Sequence, residues 1–188
     1  FPHISTCGAS RVDFIDDITS SQENLMCALK EAGLTISHKP YNMKFLDLYP
    51  KHYRRLMIAG GSGYQLLKST QKGLSVKLIK TCRILVWDQI GSGTLEAFTS
   101  EVPTIVYWKR IYSREAPWAR ELVSRLEQYG IVHSEPYSLA EEVKTYLADP
   151  AAWMNNDGRK KAIKAFCQQF ALIDPLWNDK WKEFLSVK

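Results

Sequence analysis

Val86-Trp-Asp-Gln-Ile-Gly-Ser-Gly-Thr-Leu-Glu-Ala-Phe98 is the stretch on which the fold turns. It closes an apolar run, Arg83-Ile-Leu-Val-Trp-Asp88, of strand length and of the kind buried on both faces of a parallel sheet. Gly91 and Gly93 break that run, and Thr94 to Ser100 reads as a helix. Pro103-Thr-Ile-Val-Tyr-Trp108 is the next buried strand. Strand, glycine turn, helix and strand in this order form a βαβ unit.

Downstream, Glu115 to Tyr129 predicts an amphipathic helix with Trp118, Leu122, Val123 and Leu126 on one face. Gly130 stops it, and Ile131-Val-His133 reads as a short strand. Ser138-Leu-Ala-Glu141 has capping-box form and opens a helix to about Ala148. A long helix over 151–172 and a last one over 175–186 follow. Upstream, Ser20-Ser-Gln-Glu23 is a second capping box, with Leu25, Met26, Leu29 and Ala32 at helical spacing and Gly33 behind them. Leu34 to His38 reads as a strand that Lys39-Pro40 ends. Residues 41–53 favour no element. Arg55 to Ala59 reads as a strand, Gly60 to Gly63 as a turn, and Ser75 to Thr81 as a short helix. The alternation predicts an α/β fold, a Rossmann-like parallel sheet flanked by helices, with extra helices at the C-terminus.

The 188 residues suit one domain, and 45% hydrophobic residues with six Trp, nine Tyr and seven Phe supply a core. The net charge of +5 suits phosphate-bearing ligands or an anionic membrane face and is too small and too dispersed to predict nucleic acid. Arg54-Arg55 and Arg159-Lys160-Lys161 read as a solvated basic face. Cys7, Cys27, Cys82 and Cys167 show no C-x-x-C spacing, and Cys27 and Cys82 read as small core residues in a reducing cytosol. No metal-ligand spacing occurs, and Ser92 is not in a G-x-S-x-G elbow, because Leu95 holds the last glycine's place. The chain opens on Phe1 without a signal-peptide pattern and reads as a fragment trimmed to a domain boundary.

The chemistry converges on Asp88 to Glu96. In open α/β sheets ligands bind outside the carboxyl ends of strands, and a helix start there favours phosphate. Gly91 and Gly93 would let the backbone approach, Ser92 and Thr94 would add hydroxyls, and Glu96 lies where a carboxylate can hold ribose hydroxyls. The plainer reading makes Ser92 or Thr94 an N-cap and Glu96 a favourable first-turn acid. Gly60-Gly-Ser-Gly63 lacks the Gly-Lys-Ser/Thr ending of a P-loop.

Asp88-x-x-Gly-Ser-Gly-Thr-Leu-Glu-Ala followed by Glu101-Val-Pro-Thr-Ile-Val resembles the C-terminal, nucleotide-sugar-binding domain of GT-B glycosyltransferases. The nearest resemblance is to bacterial surface-polysaccharide sugar transferases of the sialyl- and Kdo-transferase kind, over roughly residues 20–187. It implies a nucleotide-sugar donor, a CMP-sugar first and a UDP- or GDP-sugar otherwise. It further implies a glycan or lipid-linked acceptor, no cofactor or essential metal, and an N-terminal partner domain. Ser37-His38-Lys39-Pro40 stands where such proteins carry a His-Pro element facing the donor phosphates, although Lys39 directly precedes the proline. The implied donor-binding residues are Lys39, Gly91, Ser92, Gly93, Thr94 and Glu96, with His38 and Asp88 as the catalytic candidates. Trp177, Trp181, Phe184 and Leu185 form an apolar stripe that fits either a helix crossing to the N-terminal domain or an interfacial membrane helix. A cytoplasmic enzyme, peripheral to the inner membrane and inactive as an isolated fragment, is expected. A polyol-phosphate transferase of the teichoic-acid type and a non-catalytic nucleotide- or sugar-binding scaffold stay open beside it.

Overall fold

The computed structural model describes residues 15–40, 43–67, 82–111, 113–171 and 176–186. In chain order the elements are α1 (Ile15–Glu31), β1 (Ile36–His38), α2 (Lys44–Leu48), α3 (Pro50–Gly60), β2 (Tyr64–Leu66), β3 (Leu85–Trp87), α4 (Ser92–Thr99) and β4 (Thr104–Tyr107). α5 (Arg120–Gln128), β5 (Val132–His133), α6 (Pro136–Ala148), α7 (Pro150–Met154), α8 (Asp157–Phe170) and α9 (Trp177–Ser186) complete them. β3, β4 and β5 form a parallel sheet with β4 in the middle, in registers Leu85↔Thr104 and Val106↔Val132. β1 and β2 form a parallel pair, Ile36↔Tyr64. The fold is the expected α/β arrangement of parallel strands flanked by helices.

β4 is buried at every position. Successive strand side chains point to opposite faces. Ile105 and Tyr107 join a cluster with Leu25 and Leu29 of α1, Leu56 of α3 and Leu139 and Val143 of α6. Val106 and Trp108 join the other cluster, with Phe98 of α4, Val123 and Leu126 of α5 and Phe166 of α8. Helices therefore cover both faces of this strand, which is why it reads as an unbroken apolar run. β3 differs from the expectation of burial on both faces: Val86 is 37% exposed, while Leu85 and Trp87 are partly buried.

Several predicted boundaries move. α1 begins at Ile15, so Ser20 lies inside it; Ile18, Gln22, Leu25, Met26 and Leu29 carry the buried face a turn further back, with Asp16 and Asp17 in the first turn. Arg55 to Ala59 is not a strand but part of α3, whose buried His52, Tyr53, Leu56 and Ala59 recur at helical spacing behind Pro50. Gly60 closes α3, and the expected turn is a single 3-10 turn over Gly61–Gly63 leading into β2, where Gly61 has φ +59. The expected helix over 75–81 lies outside the described residues.

α5 starts at Arg120, after a 3-10 turn over Pro117–Ala119. Trp118 is 66% exposed rather than buried, its ring lying 5.5 Å from that of Phe170. α6 starts at Pro136, so Ser138 is inside it, at 2.8 Å from His133 Nδ1. The single long helix expected over 151–172 is two, because Asn155 and Asn156 interrupt it and Asn156 Oδ1 accepts from Arg159 N at 2.9 Å to start α8.

Of the basic clusters, Arg54, Lys160 and Lys161 are exposed as expected, and Arg159 is the one that is mostly buried. Arg55 is ion-paired with Glu23, and Arg159 bonds Glu142 at 2.7 Å and Trp153 O at 2.9 Å. Cys27 packs against the first cluster, and Cys27, Cys82 and Cys167 are of intermediate burial and form no disulfide among the described residues.

Candidate functional site

The turn from β3 into α4 splits between inside and outside. Gly91 is the N-cap, in extended backbone, and having no side chain it gives the first helical N–H groups no side-chain cap. A Cβ at Gly91 would meet nothing within 4 Å among the described residues, and Ser92 and Glu96 are exposed. The helix start is therefore open, at the carboxyl end of a parallel strand.

Gly93 and Thr94 serve the fold. A Cβ at Gly93 would come 2.5 Å from the Trp87 ring, so this glycine makes room for indole rather than for a ligand. Thr94 is fully buried; its hydroxyl donates to Gln89 O at 3.1 Å and accepts from Gly91 N at 3.4 Å. Its expected role as a hydroxyl donor to ligand is corrected accordingly.

Asp88, just after β3, lines a small, half-open crevice of about 20 Å³. Ile18, Ser21 and Gln22 of α1 form one wall, and the segment from Tyr107 to Ile111 forms the other. The first turn of α4 does not line it. Gln22 Nε2 donates to Asp88 at 2.7 Å, and Ser21 donates to the Tyr107 hydroxyl at 3.3 Å. Lys109 is ion-paired with Glu135 at 2.9 Å. Arg110, at φ +55, lies 4.6 Å above Trp108 and pairs with Glu115 at 2.8 Å and Glu127 at 2.6 Å.

Behind Asp88 lies a polar cluster drawn from α1, β1, α3 and β2. His38 Nδ1 is 2.5 Å from the Tyr64 hydroxyl, and its ring stacks at 5.8 Å on Tyr53. His52 is buried, with Nδ1 2.8 Å from Thr19 Oγ1 and its ring edge-on to Tyr53 at 4.9 Å. Burial lowers both imidazoles to about 4, against the opposing pull of the Asp88 charge. Both are neutral at physiological pH. Burial also keeps the Tyr53 and Tyr64 phenols protonated.

The structure thus brings two predicted residues, His38 and Asp88, into one electrostatic neighbourhood. Lys39, next to His38, donates to Pro40 O at 3.3 Å, and burial lowers its pKa. Thr19, Gln22, His52, Tyr53 and Tyr64 were not legible as site residues. Their partners lie far away in sequence, and the one local signal was the polar residue Gln22 on the buried face of α1.

Among the described residues no group of three or more His, Cys, Asp or Glu could hold a metal ion. Among them, too, no helix is long and apolar enough to cross a membrane. Trp181, Phe184 and Leu185 of α9 are exposed.

The comparisons with known proteins give the class: the chain is a transferase. A family model described as LIC12162 family transferase matches residues 63–185, well over half of the chain, which belongs to that family. The matched range holds Asp88 to Glu96 and leaves α1 and β1 outside. No curated protein and no solved structure matches the chain.

Proposed function

We propose that this chain is the nucleotide-sugar-binding half of a GT-B glycosyltransferase of bacterial surface-polysaccharide synthesis. One observation carries the reading: α4 begins on an uncapped glycine, in open space, at the carboxyl end of β3. Backbone N–H groups at such a start, together with the positive end of the helix dipole, favour a phosphate ester.

In this reading the N–H groups of Ser92, Gly93 and Thr94 and the Ser92 hydroxyl hold the donor phosphate. They stabilise the charge that grows on it as the sugar departs, so the contribution to catalysis is electrostatic. Glu96, exposed in the first turn of α4, holds the ribose hydroxyls. Lys39 is the sequence-predicted cation that neutralises the donor phosphate in this reading. His38, neutral and bonded to Tyr64, orients its surroundings rather than neutralising phosphate. Asp88 is the remaining catalytic candidate, and a general base on an N-terminal domain completes the site. The exposed face of α9 meets that domain. The donor is a CMP-sugar first, with UDP- and GDP-sugars next, the acceptor a glycan or lipid-linked glycan, and the setting the cytoplasmic face of the inner membrane.

Gly91→Asp tests the reading. The new carboxylate enters open space and caps the helix, so stability rises by about 0.5–1 kcal/mol. The same carboxylate occupies the N–H groups and repels phosphate. Calorimetric titration with CMP, UDP and GDP is expected to show binding to the wild type and at least a tenfold loss in the variant. Undiminished binding in a well-folded Gly91→Asp protein removes the basis of the proposal.

A further inference from the structure

The crevice beside Asp88 has a preference opposite to that of the α4 start. Gln22 is only 7% exposed, and its buried Oε1 has no hydrogen-bond partner among the described residues. A buried carbonyl oxygen left this way is costly, which marks it as awaiting a donor. Its Nε2 is already used on Asp88. Burial raises the Tyr107 pKa, so that phenol keeps its proton and remains able to donate. The walls therefore offer the Gln22 carbonyl as an acceptor and the Tyr107 hydroxyl as a donor, beside the Asp88 carboxylate. The cations at the mouth, Lys109 and Arg110, are ion-paired with Glu135, Glu115 and Glu127. A phosphate, which only accepts, would face a carboxylate and a carbonyl there. An alcohol both gives and receives, and it fits.

We infer that this crevice, between α1 and the carboxyl ends of β3 and β4, seats one hydroxyl of the transferred sugar, with Gln22 as the residue that reads it. The inference rests on the proposed function and names the part of the donor that this second station takes. The two stations are joined by the turn from Asp88 to Gly91, which spans at most about 11 Å when extended. That is within the reach of one sugar phosphate, whose anionic group would lie at α4 and one of whose hydroxyls would enter the crevice.

Two substitutions isolate the crevice. Gln22→Met keeps the length of the side chain and removes the amide, and Tyr107→Phe removes one hydroxyl without changing the ring. Calorimetric titrations of the wild type, both variants and Gly91→Asp would use CMP, UDP, CMP-sialic acid and UDP-glucose. Each crevice variant is expected to weaken the sugar conjugate that binds by about tenfold and to leave the corresponding nucleotide unchanged. Gly91→Asp is expected to weaken both. A thermal melt of Gln22→Met at or above that of the wild type would agree with removal of an unpaired buried carbonyl; Tyr107→Phe carries the test if Gln22→Met does not fold. Equal weakening of nucleotide and conjugate, or no change in either, overturns the crevice assignment and leaves the proposed function standing. If none of the four compounds binds the wild type, the proposed function fails and this inference with it.

Discussion

Within the nine residues from Asp88 to Glu96, neighbours have opposite duties. Gly93 and Thr94 face inward, one against the Trp87 ring and the other locked in two hydrogen bonds. Gly91, Ser92 and Glu96 face outward, beside open space. A motif that looks uniform in sequence is thus half scaffold and half surface. Beyond the backbone N–H groups that both halves share, only the side chains of the outward half can answer to a ligand, while those of the inward half, with the polar cluster behind Asp88, answer to stability. Substitutions and pH should separate the two, and the expected effects on stability run from large to negligible.

Acidification strikes the inward side hardest. His38 and His52 sit at about 4 in the folded protein, against an ordinary 6.5. Between those values the unfolded chain binds more protons, so their contribution is complete above pH 6.5 and is lost as the pH falls toward 4. The loss is on the order of 3 kcal/mol for each imidazole. Urea unfolding at pH 7 and pH 4.5 should show it, and His52→Gln should flatten the dependence by about half. A midpoint that does not move between those pH values would remove both histidines from the inward set.

Gly93→Ala comes next. Its Cβ must displace the Trp87 indole, which costs about 1–3 kcal/mol, partly offset by the better helix propensity of alanine. Chemical denaturation is expected to report a net loss of about 1–2 kcal/mol. Unchanged stability would mean that the indole yields freely and that Gly93 is not scaffold.

Glu96→Gln, on the outward side, should change stability by less than about 0.5 kcal/mol. Its effect should appear in nucleotide affinity, as a loss of about tenfold by titration, because a carboxylate–hydroxyl bond is exchanged for a neutral one. A variant that binds nucleotide like the wild type takes the ribose role away from Glu96.

The parts of this molecule that were legible share one property: their pattern is local. The run Thr104 to Tyr107 has no polar interruption beyond its buried threonine, and it is the strand covered on both faces. Gly130, at φ +69, ends α5 where a glycine stop was expected. The turn at Gly91 was readable because strand, glycine and helix start are adjacent.

What failed was non-local. Arg55-Leu-Met-Ile-Ala59 has the composition of a strand, and only the wider spacing of His52, Tyr53, Leu56 and Ala59 identifies a helix. Ser20 and Ser138 have cap chemistry but lie inside helices, because tertiary burial of Ile18 and of Pro136 extends each helix past them. Gln22–Asp88 and Thr19–His52 are pairs that only the folded chain creates. At the candidate site, Thr94 was rightly placed at the start of the helix and wrongly aimed, and Gly93 lies in the helix too, where the Trp87 ring fills the space beside it.

β4 feeds one hydrophobic cluster with Ile105 and Tyr107 and the other with Val106, joined by Trp108 just beyond the strand. Neither layer of helices can come away without stripping a side of the strand that anchors its opposite number. Melting should therefore be a single concerted event, with the most protected amides on both sides of the sheet sharing one free energy of opening in hydrogen exchange.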